Sequence, residues 1–278
     1  MSAMSQPSAM SQPSAAGRVA LVTGAARGIG AATVRALAAN GWRVLAVDLA
    51  APESALPYPL GGQRELAAVV EAASGVPGQV AAFAADVRDS AALHSAVAEA
   101  EYRWVGLDAA IACAGVIAGG RKQWEVPRDQ EQAVLDIDLG GVLNLARAAV
   151  PALLRRPEPR SGRFLAIASA AASRGLPMLA AYCAAKAGIA GLIRALGVEL
   201  GDTGVTANAV SPGSTATAML DESARLYGLT GAADFARTQP MGRLLDPAEV
   251  AAVLAFLAGP DSSGMTGAVV QVDGGLAL

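Results

Sequence analysis

The chain has one histidine, His94, only two cysteines, Cys113 and Cys183, and few charged residues. Each shortage closes a class of function. A single imidazole excludes a metal site built on several histidines, and no metal is expected. Two cysteines cannot make a disulfide scaffold. Charged residues are 16% of the chain and the net charge is −3, which argues against a nucleic-acid-binding surface. No uncharged apolar run approaches the ~18 residues of a membrane span. The N-terminus has no basic residue before Arg18 and no apolar core segment, so no signal peptide is expected. A cytoplasmic enzyme is the reading these absences leave.

What is present is apolar: 53% of 278 residues. That suits one large α/β domain with a large core and extensive subunit contacts. Residues 1–16 carry Ser-Ala-Met-Ser-Gln-Pro twice, at 2–7 and 8–13. Small, polar and Pro-containing, this stretch is expected to be a disordered tail. A duplicated or mis-assigned start is the other reading.

The first apolar run, 18–23, suits a buried parallel strand. Gly24-Ala-Ala-Arg27-Gly28-Ile29-Gly30 follows, then an Ala-rich helical stretch to Asn40. Strand, glycine turn and helix form a phosphate cradle, because glycine lets backbone approach and a helix N-terminus offers free N–H groups. The spacing G-x-x-x-G-x-G differs from the commoner G-x-G-x-x-G, and such turns also serve tight strand–helix packing alone. A second strand ends in Asp48, close to the ~20-residue spacing at which an acid meets the adenosine ribose. A carboxylate there repels a 2′-phosphate, and Leu49 and Ala50 bring no base to bind one. Arg27 could reach such a phosphate from the glycine loop, but Asp48 weighs more, so NAD is expected over NADP.

Residues 49–62 hold three prolines and two glycines, so neither helix nor strand runs through them. This insertion is long for such folds. It is either a lid over the nucleotide or a surface excursion. Further strands are expected over 79–85, 107–112, 162–169, 205–210 and 268–272. Helices are expected over 63–74, 90–104, 131–154, 181–200 and 247–258. Asp86 and Val87 follow the third strand, where adenine would lie. His94 reads as an ordinary helix-surface residue. In the helix over 131–154, Gly140 and Gly141 permit close packing and Pro151 invites a kink. Residues 218–240 form a candidate substrate lid.

Ser169 ends the fifth strand, on the side where parallel α/β sheets bind ligands. Tyr182-x-x-x-Lys186 opens the next helix, with the two side chains on one face of its first turn. An ammonium there favours phenolate, making the tyrosine a proton-transfer group for alcohol oxidation or carbonyl reduction.

In this order, the features resemble the short-chain dehydrogenase/reductase family over about 17–275. The matching residues are Thr23-Gly-x-x-x-Gly-Ile-Gly30, Asp48, Asp86-Val87, Ser169, Tyr182-x-x-x-Lys186, Pro212-Gly213-x-x-x-Thr217 and Val272-Asp-Gly-Gly275. The resemblance implies a single Rossmann-type, doubly wound α/β domain over 17–278, with a mainly seven-stranded parallel sheet flanked by helices. It implies NAD as cofactor and a homotetramer built on the helices over 131–154 and 181–200. By resemblance, Tyr182 exchanges the proton, Ser169 polarises the substrate oxygen, and Lys186 lowers the Tyr182 pKa and holds the nicotinamide ribose. Gly24, Gly28, Ile29 and Gly30 would line the pyrophosphate, Asp48 and Leu49 the adenosine ribose, and Asp86 and Val87 the adenine. Pro212, Gly213, Thr215 and Thr217 would hold the nicotinamide end.

Two positions depart from the family. Ala112-Cys113-Ala114-Gly115 stands where Asn-Asn-Ala-Gly is usual; Ala114 and Gly115 keep the close backbone approach. Asp138 stands at the position of the helix asparagine that completes the family's catalytic tetrad. It could keep the relay through its backbone carbonyl, hold the Lys186 ammonium with its carboxylate, or make a local helix bond. The insertion also resembles an actinobacterial subgroup associated with mycofactocin, a peptide-derived redox cofactor, in which it is thought to keep NAD from exchanging. The expected activity is hydride transfer between NAD and a secondary alcohol or ketone with an apolar body, with an external redox partner. The alternative is an NAD-binding protein that senses redox state or serves a complex without turnover.

Overall fold

The computed structural model describes residues 17–49 and 55–278. The expected tail over 1–16 and part of the insertion, 50–54, lie outside the described residues. Seven parallel strands form one sheet: β1 (Val19–Thr23), β2 (Arg43–Asp48), β3 (Gln79–Ala84), β4 (Ala109–Ala112), β5 (Arg163–Ile167), β6 (Thr206–Pro212) and β7 (Val269–Val272). Their order is β3-β2-β1-β4-β5-β6-β7, the doubly wound Rossmann arrangement. The central strands are largely apolar because helices cover both faces. In β1, Val19 and Leu21 face one cluster and Ala20 and Val22 the other, all 2% exposed or less.

One face carries α1 (Gly28–Ala39), α2 (Gln63–Ala72) and α8 (Pro247–Ala258). The other carries α3 (Ser90–Trp104), α4 (Arg128–Val134), α5 (Gly141–Leu154) and α6 (Ala180–Glu199). A shorter α7 (Ala218–Leu226) and a 3-10 turn (Ala232–Thr238) occupy the segment after β6. The helical runs Arg128–Leu154 and Ala180–Glu199 are long and apolar enough to cross a bilayer by composition, but both contribute buried residues to the core.

Two readings of the helices need correction. The helix expected over 131–154 begins at Arg128 and passes through a π-helical turn, Leu135–Gly140, before α5. That departure from α geometry precedes Pro151, which lies inside α5. Of the glycine pair, Gly141 makes the close approach: a Cβ there would meet Val87 Cγ2 at 2.7 Å, whereas one on Gly140 would meet only Leu135 O, at 3.6 Å. Secondly, Lys186 is the seventh residue of α6, so it sits one turn beyond Tyr182 and not within the first turn.

Candidate active site

The sheet order reverses direction between β1 and β4, and a crevice opens beyond the carboxyl ends of the strands there. It is a cavity of about 610 Å³. The glycine loop, Asp48, Asp86, Val87, Ala114, Gly115, Ser169, Tyr182, Lys186 and Pro212 through Thr217 all border it, save Ala216. Of the residues given a catalytic or nucleotide-binding role from sequence, Asp138 does not line it; it lies fully buried behind Lys186.

Gly24, Gly28 and Gly30 all line the cavity, and two of them also close the turn. A Cβ on Gly24 would sit 2.5 Å from Ala114 N, and one on Gly30 would sit 2.0 Å from Gly24 O. These two are glycine because the turn closes on its own backbone and on the β4 loop. Gly28, at φ +57°, borders the cavity, and only the Thr217 side chain approaches where its Cβ would stand. Arg27 precedes α1 and makes no side-chain cap, and the first residues of the helix, Gly28, Ile29 and Gly30, line the cavity. That end suits a pyrophosphate. Asp48 accepts from Ala26 N and Leu49 N, each at 2.7 Å. Burial pushes its carboxyl up against the pull of those amides and of Arg27. Its remaining lone pairs suit ribose hydroxyls, so the residues fit a nicotinamide dinucleotide. Asp86 is held by Arg88 in an ion pair at 2.6 Å.

The described part of the insertion, 55–62, borders this end. Leu56 is buried, and Tyr58, Leu60 and Gly61 line the cavity. The Tyr58 hydroxyl accepts from Ile117 N at 2.8 Å, and Arg27 donates to Pro59 O at 3.0 Å. A Cβ on Gly61 would stand 3.0 Å from Ala26 Cβ and 3.6 Å from Asp48 Oδ2. The described part of the insertion is therefore bonded to both the glycine loop and the β4 loop. Tyr58 is a site residue that the sequence reading missed. Its signal was an aromatic set between Pro57 and Pro59 in an otherwise small-residue loop.

At the other end, the Ser169 hydroxyl is oriented by accepting from Ala171 N at 3.1 Å. Tyr182 is 8% exposed. Burial raises its phenol pKa; Lys186 and the Ser169 hydroxyl pull it down, and Asp138 pushes it up. The net direction is upward, so the lowering expected of Lys186 is present but outweighed. Lys186 Nζ lies 5.4 Å from the Tyr182 ring centroid, donates to Ile167 O at 3.2 Å and pairs with Asp138 Oδ2 at 3.0 Å. Burial alone would lower the Lys186 pKa, but Asp138 and Tyr182 raise it. The ammonium has a third N–H for a ribose hydroxyl. Asp138 Oδ1 accepts from Val116 N at 2.8 Å. Asp138 thus makes no local helix bond through its side chain; it holds the ammonium. A Cβ on Gly115 would fall 3.3 Å from Asp138 Oδ2 and 3.4 Å from Lys186 Nζ, so Gly115 makes room for this pair.

The Gly213 loop depends on a second residue that sequence reading missed. Buried Gln239 accepts from Ser214 N at 2.8 Å and donates to Ser214 O and Arg243 O. Thr217 caps α7 through Leu220 N, and Thr215 donates to Gly213 O. Leu176, Leu179, Met219, Leu220, Tyr227 and Phe235 give the adjoining part of the cavity an apolar wall.

A family model described as enoyl-(acyl carrier protein) reductase matches residues 24–277. The short-chain reductase NovJ of Streptomyces niveus is 37% identical over 266 residues, covering 92% of this chain and 93% of that protein. The crystal structure of carveol dehydrogenase from Mycobacterium avium in complex with NAD is similar at a TM-score of 0.88 and 33% identity, over 94% of this chain and 98% of that one. That of actinorhodin polyketide ketoreductase with NADPH is similar at 0.82 and 30% identity, over 94% and 97%. The two solved neighbours divide between the two nucleotides. With sequence and fold agreeing over nearly its whole length, the chain belongs to the short-chain dehydrogenase/reductase family and is an NAD(P)-dependent oxidoreductase.

Proposed function

We propose that this enzyme moves hydride between NAD and a secondary alcohol or ketone with an apolar body, and that it retains its nucleotide between turnovers. The observation that carries the reading is the convergence of Ser169, Tyr182 and Lys186 on a single cavity with the glycine loop. Such convergence favours turnover over nucleotide binding without chemistry. When bound, the nicotinamide supplies or accepts the hydride. In the oxidative direction, Tyr182 takes the hydroxyl proton while the Ser169 hydroxyl fixes the substrate oxygen. Lys186 favours the phenolate by its charge. Asp138 holds Lys186 in place and opposes part of that charge.

Asp48 supports NAD over NADP: both its oxygens sit on backbone amides, so the carboxylate stays where a 2′-phosphate would lie. Retention is supported by the insertion, with Tyr58 bonded to Ile117 N and Arg27 to Pro59 O. This favours the mycofactocin-associated subgroup and an external redox partner that regenerates the held nucleotide. The apolar wall of Leu176, Met219, Tyr227 and Phe235 supports an apolar substrate, with 218–240 as its lid. Leu143 on α5, Val198 on α6 and Phe256 on α8 are at least 40% exposed and support a homotetramer. The free thiols Cys113 and Cys183 suit the reducing cytoplasm.

The test is a panel of secondary alcohols, assayed with free NAD and with an artificial electron acceptor after exhaustive dialysis. Turnover with the acceptor by protein that still carries NAD is expected. A nucleotide-free protein that exchanges NAD rapidly removes the retention claim. Absence of turnover with every alcohol and both acceptors removes the alcohol-oxidation claim.

A further inference from the structure

At the far end of the sheet from the cavity, Arg18 Nη1, Arg163 Nη2 and Thr206 Oγ1 are buried with no hydrogen-bond partner among the described residues. Arg163 is 1% exposed, Arg18 7% and Thr206 8%. They lie on one face of the sheet. Ala20, Ala109, Arg163 and Thr206 stand side by side in the register across β1, β4, β5 and β6. Arg18 is two residues before Ala20, so its side chain leaves the same face of the sheet. The two guanidinium groups also hold successive carbonyls: Arg18 Nη2 donates to Ser161 O, and Arg163 Nη1 to Gly162 O.

The nearby groups satisfy only part of this charge. Arg163 Nε meets the end of α8 through Gly259 O at 3.2 Å and Ser262 Oγ at 3.3 Å. The Trp42 ring covers Arg18, 4.8 Å from its Cζ. Asp108 has both oxygens engaged, one by Arg156 Nε at 2.9 Å and one by Val19 N at 2.8 Å. Burial, and then the charge of Arg18, bring the Arg163 pKa down to about 10. Asp108 attracts Arg18 but leaves Arg163 with no carboxylate partner among the described residues, and a buried guanidinium without a counter-charge is costly. Two of them on one face, each with a free N–H edge and a free hydroxyl beside them, present donors and positive charge. That favours an anion over a water molecule.

We propose that Arg18, Arg163 and Thr206 form a buried site for a small monovalent anion, chloride in ordinary media. The ion joins the starts of β1, β5 and β6 to the end of α8. Melting temperature, measured at fixed ionic strength with gluconate replaced stepwise by chloride, tests this. A saturable rise of about 3–5 °C is expected. Thr206→Val, which keeps the side-chain shape, should raise the half-saturating chloride concentration about 5–10-fold. A bromide-soaked crystal should show anomalous density between Arg18 Nη1 and Arg163 Nη2. Equal melting in both salts with no bromide density means water alone sits there and overturns the proposal. An unchanged half-saturation in Thr206→Val places the ion elsewhere and overturns it equally.

Discussion

Asp138 and Lys186 bury opposite charges 3.0 Å apart, directly behind the tyrosine. The carboxylate raises the phenol pKa, and alcohol oxidation needs the phenolate. Asp138→Asn removes that charge, so the ascending limb of the oxidation rate against pH should move to lower pH. A pH–rate profile of single turnovers checks it; a limb that stays in place contradicts the coupling. Asp138→Ala leaves the ammonium unpaired and should cost about 3–5 kcal/mol of stability by denaturant titration. Tyr182→Phe should lower oxidation about 10²–10⁴-fold with nucleotide binding unchanged by calorimetry. Tyr182, Lys186, Ser169 and Asp48 were legible because residue type and chain spacing specify them together. The tasks of Gly24, Gly30 and Gly115 were not. Their neighbours, the Ala114 backbone, the Gly24 carbonyl and the Asp138–Lys186 pair, become adjacent only on folding.

Among the elements, the insertion was legible as irregular chain, but its docking was not. Tyr58 and Ile117 are 59 residues apart, and no local pattern joins them. Tyr58→Phe removes one part-buried hydrogen bond of about 0.5–1.5 kcal/mol, so bound nucleotide should dissociate about 2–10-fold faster in stopped flow. The helix α8 was read correctly at both ends, because Asp246, Pro247 and Glu249 form a capping box with proline at the first turn. Glu249 also bonds Arg243, and with the Asp246 amide this brings its carboxyl down to about 2. A carboxyl depressed on folding adds stability above its unfolded pKa and loses it as pH falls through the folded one. Between the ordinary glutamate value and about 2, wild-type melting temperature should therefore fall more steeply than that of Glu249→Gln. The residue is solvent-exposed, so the difference should be small and should shrink in high salt.

The whole fold was legible because apolar strands and helical stretches alternate along the chain, and parallel sheets covered on both faces require that pattern. How copies assemble is not written in that alternation; it depends on which apolar side chains the finished surface leaves out. Phe256, 48% exposed on α8, is one. Sedimentation velocity should give a four-chain mass for the wild type and a smaller one for Phe256→Asp.

The π-helical turn Leu135–Gly140 has a consequence for how this chain tolerates changes in length. Such a turn holds one more residue than an α-helical turn. The two halves of the helix therefore run in different angular phases, about 100° apart. Deleting Gly140 would bring them into one phase without disturbing the seat of α5. Everything before it would rotate, and Asp138 would swing away from Lys186. A one-residue deletion at a position that does not line the cavity would thus act as a mutation of the charge behind Tyr182.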